Sequence, residues 1–195
     1  MIGEPTQPIQ RFTASRAALV LIAAWAFAEA ILWFVVPDVI AGLVVLFTPR
    51  RFLPALATVC GAALLGALAL TLLATATGGI GDLLVALPGI TGADLARASG
   101  ELQAQGAAAL LNGPLQGLPV KVYVHQAALL GTPPPAVAAF VVLNRLERVG
   151  ISLLVTLAVG WGLRRQITRW PRVALALYLA IWVLIYATYY ANRPI

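Results

Sequence analysis

The chain has 195 residues, of which 61% are hydrophobic and 10% charged, and its mean hydropathy is +0.92. A soluble domain carries about 25% charged residues, so this composition excludes an ordinary soluble fold and describes a single polytopic membrane domain. The formal net charge of +6 does not point to nucleic acid, because the arginines stand in short clusters at the ends of apolar runs, as topogenic loop charges do.

Met1 to Arg16 is a polar leader that contains Arg11 and ends in Arg16, and it reads as a cytoplasmic arm. The apolar run after it is too long for a signal h-region and lacks a small-residue cleavage site. That run, Ala17 to Val36, is twenty residues long and holds one charge, Glu29. Twenty apolar residues suffice for a membrane span, but a bare carboxylate inside one costs about 2.5–3.5 kcal/mol, so Glu29 requires a partner. Pro37 removes a backbone donor and disfavours helix at the residue before it. The segment is therefore expected to break there and leave Asp38 beside an irregular turn. Such backbone survives at membrane depth only where protein or a water-filled cavity covers it. The next apolar piece, Val39 to Phe47, covers about 14 Å, half of a hydrocarbon core about 30 Å thick. It cannot cross, so the expectation is a re-entrant hairpin that returns to its starting side, at Thr48-Pro49-Arg50-Arg51, with Asp38 near its tip.

Phe52 to Thr75 offers twenty-four uncharged residues, enough for one tilted crossing, and Gly61, Ala62 and Gly66 permit close helix packing. The only cysteine, Cys60, lies in this run and reads as a buried inert thiol; alone, it excludes an internal disulfide or a multi-cysteine metal site. Gly78, Gly79 and Gly81 end the run. From Asp82 to Gln116, Asp94, Arg97, Glu101, Gln103 and Gln105 are interspersed with leucines and alanines, which suits an amphipathic helix lying at the outer surface or capping the protein. A turn-rich stretch with Gly113, Gly117 and Pro119 leads to Val120–Leu130, about 16 Å long and closed by Gly131-Thr132-Pro133-Pro134-Pro135. This second short piece carries Lys121, Tyr123 and the only histidine, His125, and is expected to be re-entrant too.

Pro135 to Leu163 is interrupted by Asn144-Arg145-Leu146-Glu147-Arg148. Its uninterrupted apolar part, Val149 to Leu163, covers about 22 Å, too little to span alone, so Arg148 and with it Arg145 fall within the membrane's thickness. Three residues apart, they share a helix face, and Glu147 points elsewhere. Two like charges on one face need counter-charges, for which Glu29 and Asp38 are the candidates. Arg164, Arg165, Arg169 and Arg172 mark a cytoplasmic loop, and Val173 to Ala191 forms a last span with Tyr189 and Tyr190 as interface anchors. With the N-terminus inside, Arg11, Arg16, Arg50, Arg51 and those four loop arginines are cytoplasmic, while Arg97 and Arg193 are outside, in keeping with the positive-inside bias.

Broken elements that bring ionisable groups to mid-membrane are how transporters build substrate and ion sites. One histidine and one cysteine exclude a histidine-rich metal centre, and neither a G-x-S-x-G elbow nor carboxylates at metal-ligand spacing occur. No catalytic residue, cofactor or metal is assigned. A lipid-modifying enzyme and a membrane assembly or scaffold protein without transport are the alternatives.

The run F-A-E-A at Phe27–Ala30, the P-D at Pro37-Asp38, the arginine pair in R-L-E-R and the P-V-K-V-Y at Pro119–Tyr123 resemble the DedA/VTT superfamily, the SNARE-associated Golgi proteins, and its small bacterial YqaA-like members in particular. The resemblance spans about Ala17 to Arg165. It implies an all-α integral membrane protein with about three full transmembrane helices and two opposed re-entrant elements. Residues 1–16 would be the leader, 17–165 the membrane domain, and 166–195 a loop and C-terminal transmembrane helix. It further implies a lipid flippase or scramblase in a bacterial inner membrane, moving an anionic phospholipid or polyprenyl-phosphate-type lipid with proton coupling. Its partners would be membrane lipids, protons and, where it oligomerises, a second copy, with no nucleic acid. Glu29 and Asp38 take the family's essential acidic positions, and Arg145 and Arg148 its basic ones. Asp38 stands where the family often has glutamate, and R-L-E-R lacks the nearby proline-glycine. Lys121 and His125 are secondary candidates: a lysine there also snorkels, and a lone histidine is more often a packing residue.

Overall fold

The structure, a computed structural model, describes residues 8–191 and is all-helical over them. The α-helices are α1 (Pro8–Ala14), α2 (Arg16–Ile31), α3 (Asp38–Phe47), α4 (Phe52–Thr77), α5 (Gly81–Val85), α6 (Gly92–Gln105), α7 (Asn112–Gln116), α8 (Val120–Leu129), α9 (Pro134–Gly162), α10 (Arg164–Arg169) and α11 (Pro171–Ala191), with 3-10 segments at Pro49–Arg51 and Gly106–Leu111. Among the described residues, two helical stretches are long and apolar enough to cross a membrane: Pro49–Thr77, with 29 residues and mean hydropathy 2.2, and Pro171–Ala191, with 21 residues and mean hydropathy 1.8. A third is added if α1 and α2, bent by 66° at Ser15, count as one span. Of the charges in the topology count, Arg193 lies outside the described residues.

The long helices α4 and α9 run through the whole fold, and each half hangs one short helix on them. At one end Ile22 and Ala26 of α2, Val44 and Val45 of α3, Val59 of α4 and Leu153 of α9 close one core. At the other, Leu70 of α4, Leu84 of α5, Leu102 of α6, Val124 of α8 and Val137 of α9 close a second. The α2–α4 contact is tight for a reason visible in the residues. A Cβ placed on Gly66 would lie 2.6 Å from the Ala30 Cβ and 2.8 Å from the Phe27 carbonyl oxygen. Only glycine lets these backbones approach so closely.

Several boundaries differ from those the sequence predicts. The leader is not uniformly an arm, since residues 8–14 form α1, and the Ser15 hydroxyl caps α2 by accepting from the Ala18 N–H at 3.2 Å. Helix α2 stops at Ile31, five residues short of the break expected at Val36–Pro37. The run of Leu32-Trp33-Phe34-Val35-Val36 leaves the helix because side chains from α2 itself, α8 and α11, described below, capture its backbone groups. The ends of the α2–α3 hairpin meet: Thr13 and Thr48 hydroxyls lie 2.7 Å apart, and Arg51 donates to the Ala14 carbonyl. The Asp82–Gln116 stretch is four short elements rather than one amphipathic helix. Positive φ at Gly89 (78°) and Gly106 (61°) divides it, and a Thr91–Asp94 capping box starts α6. Glu101 of α6 clasps this layer to α8, accepting from Tyr123 Oη at 2.7 Å, Asn112 Nδ2 at 2.9 Å and Arg97 Nε at 3.1 Å. Helix α9 continues unbroken through Asn144–Arg148 for 29 residues, about 43 Å. The arginines expected in a loop after it include the short helix α10.

Candidate functional site

Helix α9 presents Arg145 and Arg148 from one face, three residues apart, while Glu147 is exposed. Arg145 Nη2 donates to Glu29 Oε2 on α2 at 2.5 Å, with side-chain exposures of 3% and 7%. Arg148 Nη2 donates to Asp38 Oδ2 at 2.8 Å; Asp38 is buried and Arg148 about a quarter exposed. Asp38 occupies the first turn of α3, where the helix dipole favours a negative charge. A break in the chain and an N-terminal helix turn thus carry the second acid to the arginine that Glu29 leaves unpaired. Neither pair is internal to one element: each ties α9 to a segment more than a hundred residues earlier in the chain.

The six residues between α2 and α3, Leu32 to Pro37, lie outside the helices, and buried backbone groups there need partners from elsewhere, since an orphan costs as much as a lost hydrogen bond. Three side chains supply the missing partners. Trp25 Nε1 donates to the Val35 carbonyl at 2.9 Å, and the Val36 N–H donates to Tyr186 Oη at 2.7 Å. Lys121, buried at the start of α8, donates to the Trp33 carbonyl. Tyr178 adds a hydroxyl shared between the carbonyls of Asp38 (3.1 Å) and Val39 (2.9 Å). The tip of the first hairpin is therefore held by α2, α8 and α11 together.

A cavity of about 240 Å³ opens where these elements meet, and Glu29, Lys121, Arg145 and Arg148 all reach it. Its other wall is aromatic and aliphatic, with Phe34 from the tip and Trp182, Tyr186 and Tyr189 from α11. Among the described residues Arg145 Nε is buried without a hydrogen-bond partner, so one guanidinium of the site has a donor unused there. Guanidinium forks with free donors beside an apolar wall suit the phosphate of an amphiphile, since the planar fork matches two phosphate oxygens.

Of the six residues singled out in the sequence, the structure gathers Glu29, Asp38, Arg145, Arg148 and Lys121 and leaves out His125. The imidazole is fully buried elsewhere, its Nε2 accepting the Ile80 N–H at 2.9 Å and so closing the turn between α4 and α5. What sequence reasoning missed is the part α11 plays in the site: it expected this last span and read Tyr189 as an interface anchor, but did not place Trp182 or Tyr189 on a cavity wall. The signal was present in the fourfold spacing of Tyr178, Trp182, Tyr186 and Tyr190, whose rings follow one another along one face at centroid distances of 6.5 Å (edge-on), 6.2 Å (tilted) and 6.1 Å (stacked). Comparison with protein-family models, curated proteins and solved structures finds no match.

Proposed function

We propose that the protein is a membrane transporter, a flippase or scramblase of the DedA/VTT kind, that moves an anionic phospholipid or polyprenyl-phosphate-type lipid with proton coupling. The observation that carries this reading is the cavity at the junction of the two interrupted segments, with two carboxylate-paired arginines on one side and an aromatic wall on the other. In it, α2–α3 and α8 are opposed re-entrant elements, and α4, α9 and α11 are full spans. The meeting of Thr13 and Thr48 at the base of the first hairpin supports its return to the starting side. The N-terminus lies in the cytoplasm of a bacterial cell and the chain in its inner membrane. Lipid phosphate takes the guanidinium donors, while Glu29 and Asp38 hold the arginines when the site is empty and accept a proton when it is full. No covalent chemistry occurs.

The test is redistribution of headgroup-labelled phospholipids in proteoliposomes, read with a membrane-impermeant quencher. Wild-type protein is expected to move lipid, and folded Glu29→Gln and Arg148→Ala variants to lose that movement. Transport and pH dependence that survive Glu29→Gln refute the proton role. One observation favours a second reading, a scaffold without transport: both carboxylates are already satisfied within the fold, so the network stabilises packing with no ligand. That reading predicts that neutralising Glu29 or Arg148 acts only through protein abundance.

A further inference from the structure

The charges around the cavity do not cancel. Arg145 and Arg148 are each matched by a carboxylate, Glu29 and Asp38. Lys121 is the third cation. It is 3% exposed, reaches the same cavity, and forms no salt bridge among the described residues; its ammonium meets the backbone carbonyl of Trp33 instead. An ammonium has three donors, so this one contact leaves two for a ligand. The unused Nε of Arg145 adds a further donor in a residue lining the same cavity. A buried surplus of one positive charge is unfavourable until something negative compensates it. A phosphate diester with no other charge does so. A zwitterionic headgroup presents the same phosphate but brings its own cation, and its net charge restores nothing.

We propose that Lys121 is the specificity-determining cation of this site: it supplies the positive charge that neither carboxylate neutralises, and so selects lipid headgroups of net negative charge over zwitterionic ones. The inference rests on the transport reading and deepens it. Lys121 also joins the beginning of α8 to the tip of the first hairpin, so a phosphate arriving at the ammonium competes with the Trp33 carbonyl for its protons.

The experiment compares full-length wild type, Lys121→Gln and Lys121→Arg in proteoliposomes. Headgroup-labelled lipids are unsuitable, because the label alters the charge at issue, so acyl-labelled phosphatidylglycerol and acyl-labelled phosphatidylcholine are followed separately. Glutamine keeps a donor for the Trp33 carbonyl and loses the charge; arginine keeps both. The expected result is a wild-type preference for phosphatidylglycerol of about tenfold or more, retained in Lys121→Arg and lost in Lys121→Gln while phosphatidylcholine movement persists. A wild type that moves both lipids equally overturns the inference and leaves the transport reading standing. A preference that survives Lys121→Gln, or a loss of both lipids in proportion, likewise overturns it, the latter marking Lys121 as architectural. Wild-type protein that moves neither lipid, with or without a pH gradient, overturns both readings.

Discussion

Replacing Glu29 with glutamine keeps the size and a hydrogen-bonding end of the side chain but strands the guanidinium of Arg145, which is 2% exposed and 2.5 Å from its carboxylate in the wild type. Removing one partner of a buried ion pair costs about 3–5 kcal/mol, because the remaining charge is left uncompensated. Here the effect belongs at the upper end, since Lys121 shares the cavity and the local surplus rises from one positive charge to two. For a chain of this length each kcal/mol moves Tm by about 2–4 °C, so Glu29→Gln is expected to melt about 10–20 °C lower. Cys60 gives a convenient readout: it is the only cysteine and is buried, so a thiol-reactive dye in detergent reports the loss of structure around it. The decisive comparison is the double variant Glu29→Gln/Arg145→Met. With both charges gone, the double variant is expected to be more stable than the worse of the two single variants, whereas lipid movement is not expected to return. A Glu29→Gln protein melting within about 2 °C of wild type would refute the reasoning. So would a double variant no more stable than the worse single one.

Three further outcomes follow from contacts away from the cavity. Gly66→Val places atoms where the Phe27 carbonyl and Ala30 Cβ already stand, and is expected to lower stability by about 1–3 kcal/mol or more in the same dye assay. His125→Phe leaves the buried Ile80 N–H without an acceptor, so it is expected to cost about 1–3 kcal/mol of stability while leaving lipid movement intact; transport lost in a folded variant would contradict the structural role given to His125. Burial pushes the Glu101 carboxyl upward, but hydrogen bonds from Asn112, Tyr123 and Arg97 outweigh it and hold the group below its ordinary value of 4.5. Its contribution is therefore fully present above that ordinary value and is lost as pH falls through the lower folded one. Calorimetric melting from about pH 6 down to about pH 3 should show this slope, reduced in Glu101→Gln.

The ionic centre was legible because membrane energetics leaves a carboxylate in an apolar run few options. Glu29 needed a cation, Arg145 and Arg148 needed anions, and their spacing on one helix face limited the pairing. The place where α2 ends was not legible. Pro37 advertises a break, but the chain leaves the helix at Leu32 because Trp25, Lys121 and Tyr186 offer its backbone better partners, and two of these come from distant helices. The division of residues 82–116 failed to show for a different reason. Alternating polar and apolar residues fit one amphipathic helix as well as several short ones, and only the backbone conformations of Gly89 and Gly106 choose between them. The aromatic wall was hidden by chemistry that serves two ends: tyrosine and tryptophan near the close of an apolar helix anchor it at a membrane surface and can equally line a cavity.

The order of synthesis gives the two ion pairs a meaning that the finished fold conceals. Glu29 and Asp38 leave the ribosome 116 and 110 residues before the arginines that neutralise them. At ordinary elongation rates that interval is on the order of 10 s, far longer than a helix needs to form. Throughout it, the first hairpin carries two acids whose partners have not yet been made. Until Arg145 and Arg148 are made, neither carboxylate has the partner that holds it in the finished fold. Nascent chains arrested before residue 145 should accordingly be extracted from the membrane by alkali, and chains arrested well beyond residue 148 should resist it. That outcome would make sequence separation a biosynthetic checkpoint, with the hairpin seated only after α9 has been made.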